Sequence, residues 1–395
     1  MSSIKYWVWL SAMGELSAKA RAAVIARFGD AESAFFSPKG SFAGIDGVSA
    51  AEAAALDRRE LSRVGEILDD CAAQNIAIIT MQDAAYPKRL KNIYAPPAVI
   101  YVRGKLPAVD DEAAVAVIGT RSATPYGIKM SERISFEIAK CGGVVISGLT
   151  SGVDAAAAYG ALRADGKVIG VLGTAHEQQD GELAAEVAHR GALVSEYPPG
   201  MRSMRSFFRD RNRISAALSL GVVAIEAPEK SGTLLFVAEA LEQGKEIFAV
   251  PGNADAAACR GTNGLLKEGA KPVTCGWDVM CEFAPMFPGK VKRSDAAPPQ
   301  ESETPAPEQK KEIDKEKSTG YIDLREKLGS LSETQLKIVS AIDPEPTHVD
   351  DIAERTGLGA AAVLTQLTLL TVKGIVRRVP GNRAVLNLES DHTVK

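Results

Sequence analysis

Residues 201–213, MRSMRSFFRDRNR, bring five arginines and the adjacent pair Phe207 and Phe208 into one stretch. A guanidinium offers a planar fork of N–H donors that fits a phosphate bidentately, and a phenyl ring can stack on an unpaired base, so the combination suits single-stranded nucleic acid. The same residues also fit a solvated helix start whose arginines pair with nearby carboxylates.

Four polar loops elsewhere share the chemistry of anion binding. The first is Gly119-Thr120-Arg121-Ser122, where glycine lets the backbone approach a ligand, threonine donates a hydroxyl and arginine clamps a phosphate. The second is Ser147-Gly148, leading through Ser151-Gly152 to Asp154; the third runs from Glu226 through Lys230-Ser231-Gly232-Thr233; the fourth is Pro251-Gly252-Asn253, with Gly261-Thr262-Asn263-Gly264 behind it. Any one glycine-containing turn is explained by sterics alone. Four of them at one sheet edge, with Arg121 and the arginine stretch, describe a groove for an anionic ligand.

The elements that must hold these loops follow from hydrophobic periodicity. From Ile4 to about Ala73 apolar residues return every three or four positions, which predicts a small all-helical, SAM-like module over 1–75. Runs at 76–79, 98–102, 115–118, 144–146, 168–172, 193–194, 222–225 and 247–250 read as strands. From the third run onward they alternate with longer amphipathic stretches. Continuous apolar strands alternating with helices predict an α/β, doubly wound Rossmann-like parallel sheet, here over residues 76–284. Six prolines between Pro285 and Pro307, followed by a mixed-charge run, predict a disordered linker over 285–330. Helices at 333–341, 349–356 and 360–373 and a hairpin around Pro380-Gly-Asn382 predict a winged helix over 331–390.

Composition narrows the function. The 395 residues carry a net charge of −4, so any affinity for a polyanion has to come from a local patch. Five scattered cysteines without CxxC spacing argue against a disulfide framework or zinc site and fit a reducing cytoplasm. The apolar run Tyr6–Leu10 is too short to span a membrane and reads as a buried helix. No GxGxxG follows the first parallel strand, GxxxxGK[ST] and GxSxG are absent, and four dispersed histidines lack metal spacing, so neither a cofactor nor a catalytic constellation is expected.

The strings VAVIGTRSATPYG (115–127), GGVVISGLTSGVDAAAAYGAL (142–162), GALVSEYPPG (191–200), FFRDRNRISAALS (207–219), VVAIEAPEKSGTL (222–234) and FAVPGN (248–253), in this order, resemble the DNA processing protein A family (DprA, also called Smf). The resemblance implies a cytoplasmic, non-enzymatic protein that binds single-stranded DNA, forms a homodimer and loads a RecA-type recombinase during natural transformation. It places DNA contacts on Gly119, Thr120, Arg121, Ser147, Gly148, Arg211, Asn212, Arg213, Ser231, Gly232 and Thr233, to which the reading of the residues adds Phe207, Arg209 and Lys230. Arg202 and Arg205 are read as solvated neighbours. Two departures bear on the pocket wall: Ala158 replaces a family histidine, and 174–180 replaces a Tyr-Pro pair. The helix at 360–373 has no basic residue before Lys373, so a protein contact is expected of it rather than DNA reading, although Lys373, Arg377, Arg378 and Arg383 cluster near the wing. An alternative is a nucleotide-binding enzyme or sensor resembling Rossmann-like phosphoribohydrolases. There the chemistry rests on a glutamate, and Phe236 stands at its position.

Overall fold

The computed structural model describes residues 3–179, 181–294, 296, 333–343, 346–372, 375–379 and 382–386. The chain divides into two compact units, 1–303 and 304–395, each described by itself.

The first unit is built on a nine-stranded sheet. Its strands are β1 (Ile76–Thr80), β2 (Val99–Gly104), β3 (Ala114–Ile118), β4 (Val144–Ser147), β5 (Val168–Leu172), β6 (Ala192–Ser195), β7 (Gly221–Ala224), β8 (Glu246–Ala249) and β9 (Lys271–Pro272), in the order β1-β2-β6-β5-β4-β3-β7-β8-β9. Strands β3 to β9 pair in parallel, while β2 joins β6 and β1 joins β2 antiparallel. Every run read as a strand is one. The chain winds outward from β3 to β6 and then returns to place β7 on the other side of β3, so the strand order reverses at the β3–β7 pair. Ligands of doubly wound sheets bind beyond the carboxyl ends of the strands at such a reversal.

Side chains alternate between two cores because successive strand residues face opposite ways. Val115, Val117, Val145, Leu193, Val223 and Phe248 face one core; Ala116, Ile118, Ile146, Val194, Val222 and Ile247 face the other. The N-terminal helices are α1 (Ile4–Ala12), α2 (Ala18–Phe28), α3 (Ala31–Phe36), α4 (Ala50–Arg58) and α5 (Ser62–Ala73). Their core includes Trp7, Trp9 and Leu10 and takes in Val99 and Tyr101 of β2. After the short α6 (Lys88–Lys91), the first sheet face is covered by α7 (Pro125–Lys140), α8 (Val153–Arg163) and α9 (Glu182–Arg190), and the second by α10 (Arg205–Leu218), α11 (Gly232–Glu242) and α12 (Arg260–Lys267). Finally α13 (Gly276–Phe283) packs on the first face. Packed structure continues beyond the expected start of the linker at 285, since Val291 is buried in the same core and the Lys292 amide donates to Cys141 O at 3.0 Å. Residues 295 and 297–330 of that linker lie outside the described residues.

The second unit has α14 (Glu333–Ser340), α15 (Val349–Thr356), α16 (Ala360–Val372) and a three-stranded sheet ordered β10 (Thr347–His348), β12 (Arg383–Leu386), β11 (Val376–Val379). Ile338, Ile352, Val363, Leu367 and Val376 form its core, the arrangement expected of a winged helix. Arg377, Arg378 and Arg383 are exposed; Lys373 lies outside the described residues.

Candidate nucleic-acid interface

At the β3–β7 reversal lies a cleft of about 530 Å³. Its floor is the turn after β3. There the Thr120 amide donates to Glu226 O at 2.8 Å and the Val153 amide donates to Thr120 O at 3.2 Å, which ties the turn to the end of β7 and the start of α8. Gly152, at φ +76°, lies against the carbonyls of Thr120 and Arg121, where any β-carbon would collide with them. Arg121 projects from this turn, and its guanidinium lies 5.3 Å from the centre of the Phe208 ring.

Helix α10 supplies the opposite wall. Arg205, Phe208, Arg209 and Asn212 line the cleft at the i, i+3, i+4, i+7 spacing of one helical face. The third side is the start of α11, where Ser231 caps the helix by accepting from the Thr233 amide at 3.2 Å, beside Lys230. A helix start presents unpaired N–H groups and a positive dipole end to an anion. Among the described residues five basic side chains, Arg121, Arg205, Arg209, Arg211 and Lys230, and one carboxylate, Asp154, line the cleft. Strong local positive charge therefore sits in a chain that is acidic overall.

Asp154 and Arg211 form the buried back of the site. The Asp154 carboxylate accepts from Thr150 Oγ1 at 2.9 Å and from the Gly119 amide. Burial pushes this carboxyl up from its ordinary value, while Arg211, Thr150, Gly119 and Arg121 pull the other way. Burial draws the Arg211 guanidinium down, with Asp154 opposing, and its Nη1 donates to Val171 O at 3.0 Å. A guanidinium stays charged throughout the physiological range, so Arg211 supplies a fixed positive charge under the cleft.

Ten of the fourteen residues expected to contact DNA line this cleft: Gly119, Thr120, Arg121, Arg209, Arg211, Asn212, Lys230, Ser231, Gly232 and Thr233. The other four do not. Arg213 is buried, its Nη2 donating to both oxygens of Glu196 at 2.7 and 2.8 Å, so its charge is spent on an internal ion pair. Phe207 is buried on the other side of α10, stacked on Tyr197 at 3.8 Å between ring centres. Ser147 Oγ donates to Asp154 O at 2.7 Å behind the cleft, and Gly148 is glycine because a β-carbon would run into Arg211 and Asp154. Both shape the site from behind. The Gly119 amide, although at the rim, is already taken by Asp154.

Phe208, named with Phe207 but not assigned a contact, and Arg205, read as a solvated neighbour, both line the cleft. Helical phase would have found both, because the inward residues Phe207, Arg211, Ile214 and Leu218 place Arg205 and Phe208 on the outward side. The fourth loop, expected at the same groove, lines a separate cavity with Thr124 and Tyr126. Neither departure from the family pattern touches the cleft. Ala158 is buried in the first core, and His176 is buried with Nε2 2.9 Å from Tyr101 O; Asp180 lies outside the described residues. Among the described residues no cluster of ligands fits a metal ion, and no helix is long and apolar enough to cross a membrane.

A family model described as DNA recombination-mediator protein A matches residues 77–284, the sheet together with all three walls of the cleft. The chain belongs to this DNA recombination-mediator family. A second model, the DprA winged helix domain, matches residues 325–382. Among relatives, Protein Smf of Synechocystis is 31% identical over 341 residues, covering 80% of this chain and 82% of the relative. DNA processing protein DprA of Bacillus subtilis is 35% identical over 214 residues, covering 53% of this chain and 72% of the relative. The solved structure of DNA processing protein A from Streptococcus pneumoniae superposes with a TM-score of 0.62 at 28% identity, covering 71% of this chain and 99% of that one. The Rossmann-like core and winged helix of this chain are thus those of the mediator family.

Proposed function

We propose that the chain binds single-stranded DNA in the cleft at the β3–β7 reversal and, as a recombination mediator, hands the strand to a RecA-type recombinase. The observation that carries this is the face Arg205, Phe208, Arg209, Asn212, set opposite Arg121 and Lys230. Cations alternating with an aromatic ring suit a strand that offers phosphates and unstacked bases together, whereas a duplex keeps its base faces covered. The cleft holds rather than cuts. Phe236, in its wall, stands where the phosphoribohydrolase-like alternative needs a glutamate, and a phenyl ring cannot transfer a proton. The family's role as mediator supports the recombinase as partner, and a homodimer as the working form is part of the same proposal.

The test is binding of a fluorescent oligothymidine across a salt series, with an equal-length duplex as competitor. Replacing Arg121 and Arg209 together by alanine should weaken binding by about 1–3 kcal/mol per arginine. It should also flatten the log–log salt dependence by about 0.7 for each phosphate that is no longer neutralised. A folded double variant with the parent's affinity and slope would remove the cleft from DNA binding. Turnover of a nucleoside monophosphate by the purified chain would favour the enzyme instead.

A further inference from the structure

Beside the cleft, where the loop after β8 meets the start of α7, a second cavity of about 410 Å³ opens between Tyr126 and Asn253. We propose that it holds a nucleobase of the strand whose phosphates lie in the cleft, stacked on the Tyr126 ring; this rests on the single-strand-binding reading above.

The lining selects the class of ligand. Among the described residues no lysine or arginine borders the cavity, and the one carboxylate there, Glu226, is buried with its oxygens taken by the Thr124 amide at 2.8 Å and the Thr124 hydroxyl at 2.7 Å. A phosphate would meet a carboxylate there and no cation, whereas an uncharged planar ring meets no such penalty. Tyr126 is 43% exposed, and its hydroxyl donates to Pro251 O at 2.7 Å, so the ring is held at the cavity's edge with its orientation fixed. Asn253 adds a carboxamide, the group that pairs with base edges. Its loop is braced by Asn263, which accepts from the Gly252 amide at 3.2 Å and donates to Gly252 O at 3.1 Å.

Position ties the cavity to the cleft. Glu226 sits between them, its backbone oxygen accepting from Thr120 at the cleft floor and its side chain holding Thr124 at the cavity wall. The two openings therefore lie at the ends of β7 and β8, which are paired neighbours, and hydrogen-bonded strands run about 4.8 Å apart. A strand leaving the cleft toward β8 brings a base over the cavity.

The experiment compares oligothymidine with an abasic strand of equal length. Tyr126→Ala should weaken oligothymidine binding about 5- to 100-fold, the loss of one stacked base, and leave the abasic strand and the salt slope unchanged. Tyr126→Phe, which keeps the ring but loses the hydroxyl that orients it, should retain most of the affinity that Tyr126→Ala loses, and irradiating the parent with a 5-iodouracil strand should crosslink the peptide that carries Tyr126. Unchanged oligothymidine affinity in Tyr126→Ala, equal losses on both strands, or a change confined to sedimentation of the DNA-free protein would each overturn the proposal, the last giving the cavity to a second copy of the chain. If the Arg121/Arg209 variant loses affinity while Tyr126→Ala does not, the cavity proposal alone fails. If neither loses it, the cleft reading falls as well.

Discussion

Arg209 and Arg213 lie one helical turn apart in α10 and have opposite fates, one exposed at the cleft and one sealed against Glu196. Their substitutions should separate cleanly. Arg213→Ala strands a buried carboxylate and should cost about 3–5 kcal/mol of stability in denaturant unfolding; Arg209→Ala should leave unfolding unchanged and weaken oligonucleotide binding. The phenylalanines repeat the contrast. Phe207→Ala should destabilise by about 3–5 kcal/mol because it empties a packed site, while Phe208→Ala should spare the fold and cost about 1–3 kcal/mol of binding. At this scale the sequence showed which residue types gather but not which way each points. Adjacent residues of a helix differ by about 100° in direction, so membership of a motif does not fix a contact. Gly148 marks the same limit, since its reason for being glycine is a guanidinium more than sixty positions away.

Elements were the most legible level. Four-residue strands such as β4 and β6 are short, yet the sheet is covered on both sides, so each carries three consecutive apolar residues before a closing serine, a run that stands out in the sequence. Helix starts were less visible, because a cap can be completed from far along the chain. Glu52 belongs to α4, where it accepts from the amide and hydroxyl of Ser49 at 2.8 and 2.7 Å, and it also accepts from the amide and hydroxyl of Ser17, the residue capping α2, at 2.9 and 2.8 Å. Burial by itself would raise this carboxyl, yet these hydrogen bonds hold it down to about 2, below its usual 4.5. A carboxyl depressed in the folded state stabilises fully above its unfolded value and loses that contribution as pH falls through the folded one. The stabilisation from Glu52 should therefore fade between about pH 4.5 and pH 2. Acid titrations of unfolding should show a shallower slope in that window for Glu52→Gln than for the parent.

For the whole molecule, net charge was a poor guide and its distribution a good one: five cations meet at one cleft of a chain with net charge −4. The α/β architecture could be read in advance because alternating strands and helices leave few topologies. What could not be read was the exact placing of the fourth loop, which depends on how far β8 stands from the reversal. The cleft is built wholly within the first unit, so a chain ending at Glu303 should keep the parent's oligothymidine affinity within about twofold, a difference of only about 0.4 kcal/mol. Loss of binding on that truncation would move the function to the winged helix.

The N-terminal helices are joined to the sheet by more than a peptide bond. Ser11 and Tyr101 bring their hydroxyls within 2.6 Å of each other, and Val99 and Tyr101 of β2 belong to the helices' own core, with Ile78 of the edge strand β1 packed against it. A shortened chain beginning at Ile76 would bare a greasy strip next to an open strand edge, the combination that draws copies of a protein together. The helices thus act as a lid over a sticky margin, and removing them should promote aggregation relative to the full chain unless polar residues take the places of Ile78, Val99 and Tyr101.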